Sequence, residues 1–413
     1  MIEFVKHTLS NGLRVLVHRD SLTPLVVTNM IYNAGSKYDP PEMTGMAHLV
    51  EHLMFGGSIN AGDFDYPQQM AGGENNAFTN ADVTNYYQVM PRQNLEVALW
   101  LESERLGFLD INRRTFDIQK EVVLEEFNET CLNEPYGDVW HYLHNLCYKK
   151  HPYRWPTIGM TPDHIRKIDI DAVEKFYRRH YHAENAILVI AGNAQPGKCL
   201  ELAEKWFADI PAGGNALPEL PKEPKQTSGR KKDIYALVPH AAIYMAFKIP
   251  GRLDPRFPAV DLLSDLLGLG RSSRLNEHLV EERELFSTID AYVNGTNEAG
   301  LFIIEGKLNE GISAQTGEEA IWESLEQVKK APTTPSELDK LINTFITTNA
   351  FAATNCLHKA MNLAFYENLR DADLINTEPL AYKAVNGTDL TREAKLIFQE
   401  ENSSVVRYFP EKI

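Results

Sequence analysis

Met46-Ala-His-Leu-Val-Glu-His-Leu-Met-Phe-Gly-Gly57 is the stretch from which the rest of the chain is read. Helix formers run without Pro or Gly until the Gly pair, so the spacing predicts a short helix ended at Gly56-Gly57. On a helix, positions i and i+4 lie on one face. His48 and His52 therefore direct their imidazoles to one spot, with Glu51 at the edge of that face. Two imidazoles at this spacing suit a zinc ion, with Zn–N distances of about 2.0–2.1 Å. A flanking carboxylate is what is needed to take a proton from water beside such an ion. The order is H-x-x-E-H, one of the zinc-peptidase signatures. The plain alternative is a helix bearing two surface histidines and a glutamate, and a third ligand separates the two readings.

A catalytic zinc site takes three protein ligands and keeps one position open. Gln119-Lys-Glu-Val-Val-Leu-Glu-Glu-Phe-Asn-Glu129 reads as a second helix, with Val122, Val123 and Phe127 set among carboxylates. Glu121, Glu125, Glu126 and Glu129 are equal candidates on spacing, and most of them are expected to be a solvated face.

Further phrases run along the chain: Asn11-Gly-Leu-Arg-Val15, Gly72-Gly-Glu-Asn-Asn-Ala-Phe-Thr79, His151-Pro-Tyr153, Ala191-Gly-Asn193 and Gly270-Arg-Ser-Ser-Arg-Leu275. Together with the two helices they resemble the insulinase/pitrilysin family of zinc metallopeptidases, in the half-size form related to mitochondrial processing peptidase. The resemblance implies a zinc-dependent endopeptidase acting on unstructured peptides or presequence-like segments. It implies an α+β fold of two similar domains, each a mostly antiparallel sheet with helices packed on one face. In the family the ligand glutamate stands in a V-V-L-x-E setting, which selects Glu126, seventy-four residues after His52. One Zn2+ per chain would then be held by His48, His52 and Glu126, with Glu51 as the base. Asn76, Ala77 and Phe78 would lie on a sheet-edge strand that takes the peptide as an added strand, with Phe55 beside it. Without the resemblance, that segment reads as an ordinary hairpin.

Two departures from the family pattern matter. Many members carry a second Glu where this chain has Gln119, in a supporting role. Self-sufficient members carry an Arg and a Tyr in the second half that steady the substrate carbonyl, and the matching places here are Val280 and Ser287. Loss of one oxyanion donor costs about 10²–10³ in rate. The expectation is a heterodimer in which a homologous subunit supplies the Arg and Tyr, the alternative being a self-sufficient homodimer drawing on Arg271, Arg274 or Arg283. A non-catalytic core or assembly protein of the same fold is a further reading, set against the intact ligand set and Glu51. A closed structural zinc site would call for Cys-rich, four-liganded coordination.

A chain of 413 residues exceeds one hydrophobic core and divides into two domains of about 200 residues, or three smaller ones. The expected boundaries are a zinc-bearing domain at 1–212, a linker at 213–232 carrying Pro218, Pro221 and Pro224, and a second domain at 233–413. The second half repeats the first. Ile243–Ile249 stands where Val26–Tyr32 stood, and Ala259–Leu267 stands where the metal helix stood. Asp261, Ser264 and Asp265 then fall opposite His48, Glu51 and His52, so the repeat keeps its chemistry in one copy. Strands are also predicted at 13–18, 25–32, 84–90, 186–192, 286–293, 301–308 and 404–409, and long helices at 314–330 and 335–370.

A net charge of −16 with no basic stripe argues against nucleic acid. No run approaches the roughly 18 apolar residues of a membrane span, so no membrane partner is expected. Met1–His7 shows neither the apolar core of a secretion signal nor the Arg/Ser bias of a presequence. The expectation is a cytoplasmic protein, or one whose leader has been removed. Cys131, Cys147, Cys199 and Cys356 have no CxxC spacing and read as free thiols. His141 and His144 lack further ligands and read as surface or capping histidines.

Overall fold

Ala186-Ile-Leu-Val-Ile-Ala-Gly192 has no polar alternation, and all seven residues are buried. A strand of this kind needs apolar cover on both faces of its sheet. Val15, Leu16 and Val17 are likewise buried in succession. The sheet that contains them is therefore the middle layer of three.

The computed structural model describes residues 1–214 and 217–411; positions 215 and 216 of the expected linker lie outside the described residues. In order the elements are β1 (Val5–Thr8), β2 (Arg14–Arg19), β3 (Leu25–Tyr32), α1 (Met46–Leu53), α2 (Asp65–Met70), β4 (Glu74–Thr79) and β5 (Thr84–Pro91). There follow α3 (Leu95–Gly107), α4 (Arg113–Phe127), α5 (Val139–Cys147), α6 (Pro162–Lys167), α7 (Ile170–His180), β6 (Ala186–Gly192) and α8 (Pro196–Phe207). The remainder is β7 (Arg230–Ala236), β8 (Ala242–Ile249), α9 (Phe257–Gly268), β9 (Phe286–Asn294), β10 (Gly300–Leu308), α10 (Ala314–Lys330), α11 (Pro335–Ala352), α12 (Cys356–Leu369), α13 (Leu374–Lys383), α14 (Gly387–Ile397) and β11 (Ser403–Pro410).

One sheet runs β1-β2-β6-β3-β5-β4 and the other β7-β11-β8-β10-β9. Apart from β1 the two orders correspond strand for strand. β2 and β6 are parallel, as are β7 and β11, and the remaining pairs are antiparallel in both sheets. The internal repeat read from the sequence is a duplicated α+β fold, with α9 following β8 as α1 follows β3.

Packing divides the chain into two compact units that exchange segments. The first is Met1–Phe127, Pro156–Leu220 and Asn349–Thr377; the second is Asn128–Trp155, Pro221–Thr348 and Glu378–Ile413. Each expected half carries its own sheet, yet the helix on that sheet's outer face comes from the other half. In the first unit α1, α3 and α8 lie against the sheet strands, and α12 packs on β3 and β6. Ala360, Leu363 and Ala364 of α12 bury against Leu16, Val27, Ile31, Ile187, Val189 and Ala191. Lys359 pairs with Asp20 at 2.5 Å and Lys6 with Glu367 at 2.7 Å, fastening the helix at its rim. In the second unit α5 packs on β11, β8 and β7, and Tyr408 donates to Asp138, just ahead of α5, at 2.5 Å. The apolar residues of α9, α10 and α14 fill the inner face with Ile243, Met245, Phe247 and Ile304.

The helix expected over 335–370 is two helices. Asn355 caps the second, its side chain accepting from Leu357 N and His358 N, and the chain passes from one unit to the other shortly before the break, between Thr348 and Asn349 in the last turns of α11. The linker is tied down beyond Pro221. Backbone N–H groups of Lys149, Lys150 and His151 donate to Glu223 at 2.8–3.0 Å, and Lys248 approaches it at 3.2 Å. His141 and His144 are not surface residues. His141 is buried, and burial lowers His144 to about 4. No described helix is long and apolar enough to cross a membrane.

Candidate metal centre

The helix α1 buries Met46, Ala47, Leu49, Val50 and Leu53, which leaves His48, Glu51 and His52 half-buried on its other side. It begins at Gly45, whose φ of +93° excludes most side chains, and a Cβ there would meet Ile158 O at 2.8 Å. Glycine offers no capping oxygen, so the orphan N–H groups are met from a distance: Asp39 Oδ2 accepts from Gly45 N at 2.7 Å and Oδ1 from Ala47 N at 2.9 Å. Burial pushes the Asp39 carboxyl up to about 8, against these backbone donors that hold it down. At the other end Arg105 Nε donates to Met54 O at 3.2 Å, a cation placed where a helix C-terminus favours one. Arg105 is buried, paired with Glu102 at 2.6 Å, and enclosed by Phe55, Phe64 and Tyr86 at 4.8–5.2 Å. This helix is thus held at both ends by buried polar side chains, Asp39 and Arg105.

Glu126 lies near the end of α4, which packs against α1. His48 Nε2 and His52 Nε2 are 3.3 Å apart, and Glu126 Oε2 lies 3.8 Å and 3.5 Å from them. Among the described residues these three form the one group of His, Cys, Asp or Glu arranged to hold a metal. Ligands at about 2.0–2.1 Å on tetrahedral directions stand about 3.3 Å from each other, so the donor set and its spacing fit zinc. Glu121, Glu125 and Glu129 are exposed and outside the cluster.

The electrostatics suit a cation. Burial lowers His48 to about 4, overriding the pull of Glu126, so this imidazole is neutral and free to ligate. Burial also opposes charge on His52, but the hydrogen bond and charge of Glu126, with Glu51 and Gln119 adding to them, leave it raised. The His52 hydrogen bond lowers Glu126 in turn. Burial raises Glu51, with Thr79 and His52 opposing.

β4 is the edge strand of its sheet, paired with β5 alone. Asn76 and Phe78 are exposed on it and Ala77 is half-buried, while Asn76 Oδ1 takes the Ala77 N–H at 2.8 Å. Phe55 is half-buried just beyond α1, over Arg105. In the second unit Val280 packs half-buried against the core, and Ser287 is exposed on β9, donating to Lys307 O at 3.2 Å. Asp261 and Asp265, opposite His48 and His52 in the repeat, form no metal group. Tyr382 donates to Asp261 at 2.5 Å, and burial pushes Asp265 up to about 7. The sequence reading missed Thr79, Asp39 and Arg105. Asp39, six residues before the glycine that opens the helix, was the readable signal for a remote cap.

Fold and site define a duplicated α+β protein in which one copy brings two histidines and a glutamate together as a metal ion would need them. Residues 14–161 match the insulinase family, peptidase family M16, and residues 167–345 match the peptidase M16 inactive domain. The zinc protease PqqE of Helicobacter pylori is 32% identical over 340 residues, covering 81% of this chain and 76% of that protein. The mitochondrial-processing peptidase subunit beta of Lentinula edodes is 25% identical over 313 residues, 71% of this chain and 66% of that protein. The crystal structure of a protease from Helicobacter pylori matches with a TM-score of 0.94 at 29% identity, covering 99% of this chain and 100% of that one. The chain belongs to the insulinase family, peptidase family M16.

Proposed function

We propose that this chain is a zinc-dependent endopeptidase for unstructured peptides, holding one Zn2+ on His48, His52 and Glu126, and that it is the zinc-bearing subunit of a two-subunit enzyme. The observation that carries the reading is the convergence of two imidazole nitrogens and a carboxylate oxygen within 4.8 Å, with the separate carboxylate of Glu51 on the same helix. When bound, the ion supplies Lewis acidity toward a peptide carbonyl and lets water act as a nucleophile near neutral pH. Glu51 takes the proton of the attacking water and hands it to the departing amine. The outer edge of β4, with Asn76, Ala77 and Phe78 and with Phe55 close to α1, takes the peptide as an added strand. Main-chain hydrogen bonds make such docking tolerant of sequence.

The similarity to a protein named as a subunit of a processing peptidase supports the two-subunit arrangement. So do Val280 and Ser287, which offer neither cation nor phenol where a homologous subunit would supply Arg and Tyr. The test is zinc content and cleavage of an unstructured peptide library, by the chain alone and with a homologous subunit. We expect one zinc per chain, cleavage only with the partner, and zinc without cleavage in Glu51→Gln. Parent-rate cleavage by Glu51→Gln would remove the base assignment, and efficient cleavage by the isolated chain would remove the partner.

A further inference from the structure

Thr79 is the last residue of β4, and its hydroxyl lies 2.5 Å from Glu51 Oε2. Strand alternation turns Asn75, Ala77 and Thr79 to one face, more buried than the face of Glu74, Asn76 and Phe78. Thr79 Oγ1 is also 3.1 Å from Thr84 Oγ1, its partner across the hairpin. Thr84 is buried and donates to Ala34 O at 3.0 Å. With that proton committed to a backbone carbonyl, the Thr79 proton is left for the carboxylate.

We propose that Thr79 is a positioning residue for Glu51, its hydroxyl tying Oε2 so that Oε1 is the oxygen presented to water. This rests on the reading of Glu51 as the base. The proton taken from water sits on Oε1, so Oε2 goes on accepting from the Thr79 hydroxyl while Glu51 carries it to the leaving amine. A methyl group offers no such donor. The surroundings hold Thr79 as firmly as it holds Glu51. The turn after it is zipped to the loop before α1 by Gly35 N to Asp82 O, Ser36 N to Asn80 O and Lys37 N to Ala81 O at 3.0–3.1 Å. The buried Lys37–Asp82 pair adds a 2.7 Å contact. Because Thr79 shares a strand with the peptide-docking edge, a peptide that orders β4 also steadies the base.

Thr79→Val keeps the shape and removes the hydroxyl, whereas Thr79→Ser restores it. In the enzyme assembled with its homologous subunit, the Val variant should lose about 10–100-fold in kcat, the range for groups that orient a ligand or base from outside. KM and zinc content should stay at the parent values, and the Ser variant should recover most of kcat. In crystals of the metal-free chain, Glu51 should hold one position in the parent and the Ser variant and several in the Val variant. A Val variant at the parent kcat, a Ser variant as slow as Val, or a single Glu51 position in the Val variant would overturn the proposal. Glu51→Gln measured alongside keeps the two readings apart. If it cleaves, the base assignment falls and this inference with it; if it is dead while the Val variant is fast, only the role of Thr79 falls.

Discussion

Leu363 sits midway along α12, far in sequence from the sheet it covers, and is 0% exposed. Replacing it with Ala should destabilise the first sheet and not the second. A buried Leu→Ala substitution costs about 2–5 kcal/mol, rising with the cavity that remains. Here the neighbours Ile187, Val189 and Val27 belong to hydrogen-bonded strands that do not move inward, so we place the cost near 3 kcal/mol. If the sheet opens as a cooperative unit, that raises amide exchange in β2, β3 and β6 by about 100-fold. Hydrogen exchange with mass spectrometry reads it strand by strand. β8, β10 and β11 should keep their protection. Leu143→Ala on α5, also 0% exposed, should give the opposite pattern. Loosening of β8, β10 and β11 by Leu363→Ala, or a rise below about tenfold in β3 and β6, would refute the exchange of covering helices.

Asp39→Ala removes the acceptor for Gly45 N and Ala47 N. It should lower stability by about 1–2 kcal/mol and weaken zinc retention in chelator competition, because α1 carries two of the three proposed ligands. Glu337 is held down at about 2 by the Arg274 hydrogen bonds, with Thr334 adding to them. A carboxyl lower in the folded than in the unfolded chain stabilises above its ordinary value and loses that contribution as pH falls. The stability gap between the parent and Glu337→Gln should therefore be full at pH 7 and close as pH falls from about 4.5 toward 2. Urea denaturation at several pH values measures the gap.

His48 and His52 were legible because the i, i+4 relation is local and needs only a helix. Glu126 was not legible from spacing. Four acids share that segment, and what selects one is the approach of α4 to α1, a tertiary fact that only the family pattern encoded. The strands were readable for a similar reason, since alternation or its absence is set by the two faces of a sheet. The uniformly apolar run at 186–192 even announced that both faces are covered. It did not say by what, because a helix stripe records that it is buried and not its partner. The break at Asn355 was missed because apolar periodicity runs through it, although Thr-Asn before Cys356 is a capping signal. Thr79 and Arg105 act through side chains that meet α1 across the fold, and nothing nearby in sequence marks them.

The exchanged helices govern how this protein is made. A ribosome that has finished β6 and α8 has delivered every strand of the first sheet, yet the helix that seals its outer face lies in Asn349–Thr377. At about 5–20 residues per second, the roughly 165 residues in between take about 8–33 s to emerge. For that interval Leu16, Val27, Ile31, Ile187 and Val189 face water or a chaperone. Sealing of the first-made sheet is thus deferred until Asn349–Thr377 has emerged, and a transcript truncated before residue 349 would leave a nascent product open to aggregation.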